Sequence, residues 1–269
     1  MMSKSAWLVL LFGLLGILLL DGSWAESQSA LDPSLEQAIA NHKKTAGEAQ
    51  QYAYTELKKD RAFDSKGKLK QDSSDSFEII FLEGAPYQKH TLHNGQPLPE
   101  KEQKAEDKKL ADVAKARRES KDKAGLFSGQ FHLQLPVDEI PTRFDVTAAG
   151  SDEIDGRKML KFNAVPRIGT GSVKEIVRDG LAYEMKLWVD EQDKVFAKIE
   201  ARVIADGMRY ENGSLLGYNW EKVNGEVWLP DRYWFKGKVR YMMMDVSAET
   251  DQSYSDYKKF RAETKIVTE

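Results

Sequence analysis

Chemistry-bearing side chains are few in this 269-residue chain, and each group of them lacks something a reaction would need. His90 and His93 are the closest pair of imidazoles, the group that ligates zinc and moves protons near neutral pH. On a strand, residues three apart point to opposite faces, so their spacing predicts poor co-ligands. His42 and His132 complete the four histidines, and none has an acidic neighbour at ligand spacing. Asp190 and Asp193 bracket a hairpin turn, where Asp serves local hydrogen bonding. A calcium loop would need more oxygen ligands and a later Glu. Gly169-Thr170-Gly171-Ser172 with Lys174 lacks the spacing and the preceding buried strand of a phosphate loop, and reads as a connection to a short helix over 173–178. There is no Gly-x-Ser-x-Gly elbow, no His-Glu-x-x-His and no Walker sequence. The cysteine count of 0 removes disulfides, thiolate metal sites, cysteine nucleophiles and a lipidated N-terminal cysteine. The expectation is no catalytic residue, no metal site and no cofactor, with a secreted hydrolase as the least favoured class.

Composition narrows the classes further. Hydrophobic residues make up 41% and charged residues 31%, enough for a sizeable core beneath a solvated surface. Lys+Arg is 40 against Asp+Glu 43, a formal net charge of -3, whereas a nucleic-acid binder needs a clustered basic excess. No nucleic-acid partner is expected. Lys4 precedes an almost uninterrupted apolar run over 6–20, and Ser23 and Ala25 set small residues three and one positions before a cut after Ala25. That pattern predicts a signal peptide at 1–25 and a periplasmic mature chain over 26–269, forming a single domain. The alternative is an uncut N-terminal anchor, because the run could nearly span a bilayer. No second long apolar run follows, so no stable membrane span is expected after cleavage.

The elements that would position these residues are mostly strands. Asp32-Pro33-Ser34 starts a helix: Asp32 caps, Pro33 fits the first turn, and Glu36 favours the N-terminus. Leu35, Ala38, Ile39 and His42 share one face of it. Residues 52–57 read as a strand, the polar stretch 60–76 as a bridge, and 77–82 with 86–92 as a hairpin, followed by an Asn94-Gly95 turn. Residues 100–123 carry charges of both signs with a narrow stripe of Leu110, Val113 and Ala114. They predict a helix lying on the surface or projecting from it, or alternatively a mobile flap over a cavity.

From residue 131 onward the signals are antiparallel. Turns are expected at Asp155-Gly156, 190–193, Asn224-Gly225 and Gly237, and 254–260 closes the series. Roughly eight to ten strands in a meander follow from this spacing. Parallel βα alternation is absent, which counts against Rossmann and TIM-barrel folds. Val195, Ala197, Ile199, Ala201 and Val203 alternate with Phe196, Lys198, Glu200 and Arg202, one dry face and one wet. Residues 238–246 read as one strand apolar on both sides, which lines a cavity or lies between two layers.

The leader, the helix running into Tyr52-Ala53-Tyr54-Thr55, and the hairpin of Leu187-Trp188-Val189-Asp190 with Val195-Phe196-Ala197-Lys198-Ile199-Glu200 together resemble the LolA-like outer-membrane lipoprotein-sorting proteins. Val227-Trp228-Leu229-Pro230 and Tyr254-Ser255-Asp256-Tyr257-Lys258-Lys259-Phe260 are similar to the same superfamily. The resemblance implies an α+β fold, a strongly curved antiparallel half-barrel with helices over its concave face, and non-catalytic binding of acyl chains or hydrophobic peptide. It implies lipid, lipoprotein or envelope-protein partners, with the scaffold used as carrier, receptor or stress sensor. Two departures stand out. The carriers' strand Arg beside a Pro has no counterpart in Gly84-Ala85-Pro86-Tyr87-Gln88-Lys89, and the charged helical segment at 99–124 is an insertion. The expected apolar lining, from alternate strand positions, is Leu187, Val189, Val195, Ile199, Val203, Met242 and Met244; the opposite face would shift that list by one residue.

Overall fold

The computed structural model describes residues 31–49, 51–119, 135, 137–167, 183–207, 210–241 and 244–259. The candidate signal peptide, His132, the Gly169 to Lys174 motif, the expected helix at 173–178 and Met242 lie outside them. Eleven strands are described: β1 (Tyr52–Phe63), β2 (Leu69–Leu82), β3 (Ala85–His93), β4 (Gln96–Pro97), β5 (Phe144–Ile154), β6 (Arg157–Pro166), β7 (Tyr183–Asp190), β8 (Phe196–Val203), β9 (Leu215–Val223), β10 (Val227–Tyr241) and β11 (Met244–Lys259). They form one antiparallel sheet in the order β4-β3-β2-β1-β11-β10-β9-β8-β7-β6-β5. Sheet neighbours are consecutive in the chain except β1 and β11, which pair from Tyr52 opposite Lys259 to Phe63 opposite Ser247. The ends β4 and β5 do not pair, so the sheet is an open, curved half-barrel of the expected α+β class, with more strands than the spacing suggested.

Among the described residues three helices accompany the sheet: α1 (Pro33–Ala49), α2 (Glu100–Glu119) and the short α3 (Ile140–Arg143), entered through a 3-10 turn at Val137–Glu139. The start of α1 follows the local chemistry. Asp32 Oδ1 accepts from Ser34 N at 2.8 Å, and the Asp32 carbonyl accepts from Leu35 and Glu36. Leu35 and Ala38, three residues apart, are its fully buried side chains. The charged α2 lies along the open edge of β3. Its Arg117 is fully buried and donates to the carbonyls of Leu82, Ala85 and Pro86 at 2.9, 2.9 and 2.7 Å. Glu106 accepts from the Tyr87 hydroxyl at 2.7 Å and faces the His90 backbone N–H at 3.4 Å. An uncovered strand edge invites pairing with another chain, and α2 blocks that edge. The guanidinium that β3 lacks in its own sequence is thus brought to Pro86 by α2.

Several expectations about elements are corrected. The polar stretch 60–76 is not a bridge; it is the end of β1 and the start of β2, paired from Tyr54 opposite Ile79 to Phe63 opposite Leu69. Main-chain pairing and polar cross-strand contacts such as Thr250 Oγ1 to Asp60 Oδ1, 2.7 Å, hold it without an apolar face. Gly237 is not a turn either, because β10 runs through it with Gly237 opposite Ala248. A Cβ there would collide with Ser214, so the glycine serves a close approach. Residues 238–246 are accordingly two strands, with Tyr241 opposite Met244 and Val239 opposite Val246.

The histidines of β3 also differ from expectation. The β2–β3 register shifts between Ser76 and Phe77, so Phe77 faces His90 while Ser76 faces Leu92, leaving Thr91 as a bulge. One extra residue reverses the alternation, and His90 and His93 come to the same side with Asp75.

Candidate functional site

The inner face, the side that α1 covers, is built from alternate strand positions. Tyr183, Met185, Leu187 and Val189 of β7 point into it and are buried. On β8 the inward set is Phe196, Ile199, Ala201 and Val203. This set breaks period two because Trp188 pairs with Lys198 while Val189 pairs with Phe196, which leaves Ala197 as a bulge. Phe144, Phe162, Leu216 and Phe235 extend the same cluster across the sheet. Leu35 and Ala38 of α1, with Val137 and Ile140 beside α3, cover it. Beyond the two buried residues, α1 is fastened by Asn41 Nδ2 to the Lys194 carbonyl, 2.8 Å, and Lys194 Nζ to Ser34 Oγ, 3.1 Å.

Of the expected lining residues, Leu187, Val189, Ile199 and Val203 come together in this cluster. Val195 does not join them; beyond the Ala197 bulge it packs in a separate cluster with Met159, Trp188, Ala197 and Trp228. Met242 is outside the described residues, and Met244 is described by its backbone, which opens β11 opposite Tyr241.

The β7–β8 turn carries a dense polar network that fixes one end of the site. Asp190, 1% exposed, accepts from Arg157 at 2.6 and 2.9 Å and from the backbone of Gln192 and Asp193. Asp193 accepts from Arg157, Lys222 and Trp228 Nε1 at 2.8, 2.7 and 2.9 Å. Burial opposes the Asp193 charge, yet the hydrogen bonds from Lys222 and Trp228 and the charges of Lys222 and Arg157 hold its carboxyl below the ordinary value. The turn's aspartates therefore do structural work, as local hydrogen bonding predicted, but with distant partners as well.

Next to the apolar cluster lies a belt of tyrosines across β1, β11, β10 and β9. The Tyr218 and Tyr233 rings are 4.9 Å apart and the Tyr54 and Tyr254 rings 5.8 Å apart. Burial pushes the Tyr183 hydroxyl up to about 12 and raises those of Tyr218, Tyr233 and Tyr254 as well. These hydroxyls stay protonated near neutral pH and supply no base. Beyond the belt the inner face turns polar. Glu56, 1% exposed, accepts from Gln88 Nε2 at 3.1 Å to each oxygen and from Gln252 Nε2. Alternation of Tyr54 and Glu56 in the sequence hints at this face, but the pairing of 52–63 with 247–259 that assembles it has no local signal.

The inner face thus grades from apolar, through aromatic with hydroxyls, to polar, a profile that matches an amphiphile laid along it. The outer face is different: a cleft of about 730 Å³ there is rimmed by Glu184, Lys186, Glu200 and Arg202, with Trp234 in its wall.

No family model matches the chain, and no curated protein matches it. Solved structures do align along most of its length. A DUF1329 family protein from Desulfovibrio piger is 11% identical, over 84% of this chain and 91% of that one, with a TM-score of 0.34. A LolA superfamily protein from Nitrosomonas europaea is 12% identical, over 88% and 96%, with a TM-score of 0.29. The lipoprotein LppX from Mycobacterium tuberculosis is 9% identical, over 84% and 96%, with a TM-score of 0.28. One of these proteins bears the name of the superfamily that the sequence resembles; the fold itself stands on the strand order.

Proposed function

We propose that this protein is a non-catalytic binding protein of the bacterial envelope, holding an acyl chain or another apolar envelope component against the inner face of the sheet, in the manner of a lipoprotein-sorting carrier. The observation that carries the reading is the graded inner face under helix α1. An acyl chain against Leu187, Ile199 and Phe235 would gain about 0.8 kcal/mol per CH₂ removed from water, and a polar head would meet the tyrosine belt and the Gln88–Glu56–Gln252 cluster. Leu35 and Ala38 of α1 pack on the apolar cluster, so α1 is the lid that a guest would displace. The protonated tyrosines and the apolar cluster supply neither a base nor a nucleophile, which supports binding over catalysis. The leader at 1–25 supports a periplasmic address. Among the described residues no helix is long and apolar enough to cross a membrane.

The test begins with protein expressed with its leader and purified from the periplasm. Native mass spectra before and after organic extraction should differ by a lipid-sized mass, and the extracted protein should bind a fluorescent fatty acid. Because the chain has no cysteine, Asn41→Cys with Lys194→Cys allows a short thiol crosslinker to close the lid over the emptied site. Crosslinked protein should lose fatty-acid binding, and reversal of the crosslink should restore it. A bare protein mass together with no fatty-acid binding by the uncrosslinked protein would overturn the proposal.

A further inference from the structure

The β2–β3 hairpin holds a group of side chains that the apolar inner face leaves unused. Asp75 near the middle of β2 and His93 at the end of β3 stand directly opposite each other, and the Thr91 bulge brings His90 to their side. His90 Nε2 lies 3.0 Å and His93 Nδ1 2.7 Å from the same oxygen, Asp75 Oδ1. The three ligand atoms are all within 4.8 Å of one another. We infer that Asp75, His90 and His93 form a binding site for a divalent transition-metal ion, of which zinc is the best match.

The charge balance favours a cation. Among the described residues Asp75 has no Lys or Arg within ion-pair distance; Lys58, its cross-strand partner, is engaged by Asp60 at 2.6 Å. His90 Nε2 faces two acceptors, Asp75 Oδ1 at 3.0 Å and the Leu92 carbonyl at 2.9 Å, with one ring proton to share between them. A metal ion between them would take the lone pairs of His90 Nε2 and Asp75 Oδ1 in place of that shared proton, leaving the Leu92 carbonyl to water. Two imidazoles with one carboxylate are the donor set of zinc and its first-row neighbours, and a poor one for magnesium or calcium, which take oxygen ligands.

The support around the ligands is already built. The Phe77 ring stacks on His90 at a centroid distance of 4.9 Å, and Thr91 Oγ1 donates to the Ser76 carbonyl at 3.0 Å, fixing the bulge. Asn94 and Gly95 take positive φ of 50° and 74° in the turn that follows, and Asn94 Oδ1 accepts from Ser74 N at 2.9 Å. The Asn94 amide also sits 3.1 Å from His93 Nε2. Phe77 against His90 and the Asn94 turn beside His93 restrict the two imidazoles. Outer contacts of this kind orient metal-binding histidines. The His93 side chain is 48% exposed and that of Asp75 24%, so water or an outside donor can reach the fourth position of a tetrahedral ion.

The test uses the full chain without an affinity tag, stripped with a chelator and titrated with zinc chloride in competition with a fluorescent zinc chelator. One equivalent should bind, and His93→Ala and Asp75→Asn should each weaken binding by at least about tenfold. Imidazole ¹⁵N spectra of the wild-type protein give a second reading that needs no variant: zinc should shift the His90 and His93 signals and leave His42 in place. Absence of stoichiometric uptake, undiminished uptake by both variants, or zinc shifts confined to His42 or His132 would each overturn the assignment. The apolar part of the fatty-acid site lies on β7, β8 and β10, away from Asp75, so the extracted protein should take up a fluorescent fatty acid with and without zinc, and the two proposals fail separately.

Discussion

If α1 is a lid, weakening its grip should open it without unfolding the sheet, and Leu35→Ala is the sharpest way to ask. Leu35 is fully buried, and Ala38 is the other fully buried residue of the helix. Two hydrogen bonds, Asn41 to Lys194 and Lys194 to Ser34, add about 1 kcal/mol each. The Lys43–Asp138 pair, with side chains 75% and 51% exposed, adds little. Leu35 is therefore the largest single anchor. Removing its buried side chain forfeits about 2–3 kcal/mol, at the lower end of buried Leu→Ala costs. That is roughly a 30- to 150-fold rise in the open population. Native-state hydrogen exchange read by mass spectrometry should show the amides of α1 exchanging faster by that factor, with those of β7 and β8 nearly unchanged. If the α1 and β7–β8 amides accelerate together, α1 opens only when the whole domain unfolds, and the lid mechanism is wrong.

Two further outcomes follow from single side chains. Arg117→Met strips the carbonyls of Leu82 on β2 and of Ala85 and Pro86 on β3 of their donor and should cost about 2–4 kcal/mol in a urea melt, with self-association through the bare β3 edge detectable by sedimentation; Arg117→Lys, which lacks the planar fork, should recover only part of the loss. Burial against Phe196 and Trp220 holds the His42 imidazole below its ordinary 6.5, against the nearby Asp138 carboxylate, which raises it. As pH falls the unfolded chain takes up this proton before the folded one does. The stability is thus complete above about pH 6.5 and is lost as pH drops from there toward the folded value. Urea midpoints measured from about pH 7.5 down to about pH 5 should fall more steeply for the wild-type protein than for His42→Gln, and equal slopes would rule out a buried neutral His42.

Local chemistry in the sequence was enough to determine the start of α1 and the Asn-Gly and Asp-Gly turns. Asp32 and Pro33 start the helix within one turn of chain, and Leu35 with Ala38 marks its buried side. Asn94-Gly95, Asp155-Gly156 and Asn224-Gly225 announce turns because these residues tolerate positive φ, and each pair adopts it. Period-two patterning likewise gave the antiparallel meander of β5 to β9 and most of the inward set on β7 and β8. Features set by partners distant in the chain were legible only in the folded sheet. The bulge at Ala197 separates Val195 from Ile199, and the bulge at Thr91 turns two histidines of opposite parity into neighbours of Asp75. A bulge is a register choice between two strands, so neither strand's own pattern encodes it. The same holds for β1 meeting β11 across nearly the whole chain, for β10 running through Gly237, and for Arg117 reaching β3. Side-chain periodicity fixes which residues are apolar, whereas cross-strand pairing fixes which face each one joins, and the candidate sites of this protein depend on the second.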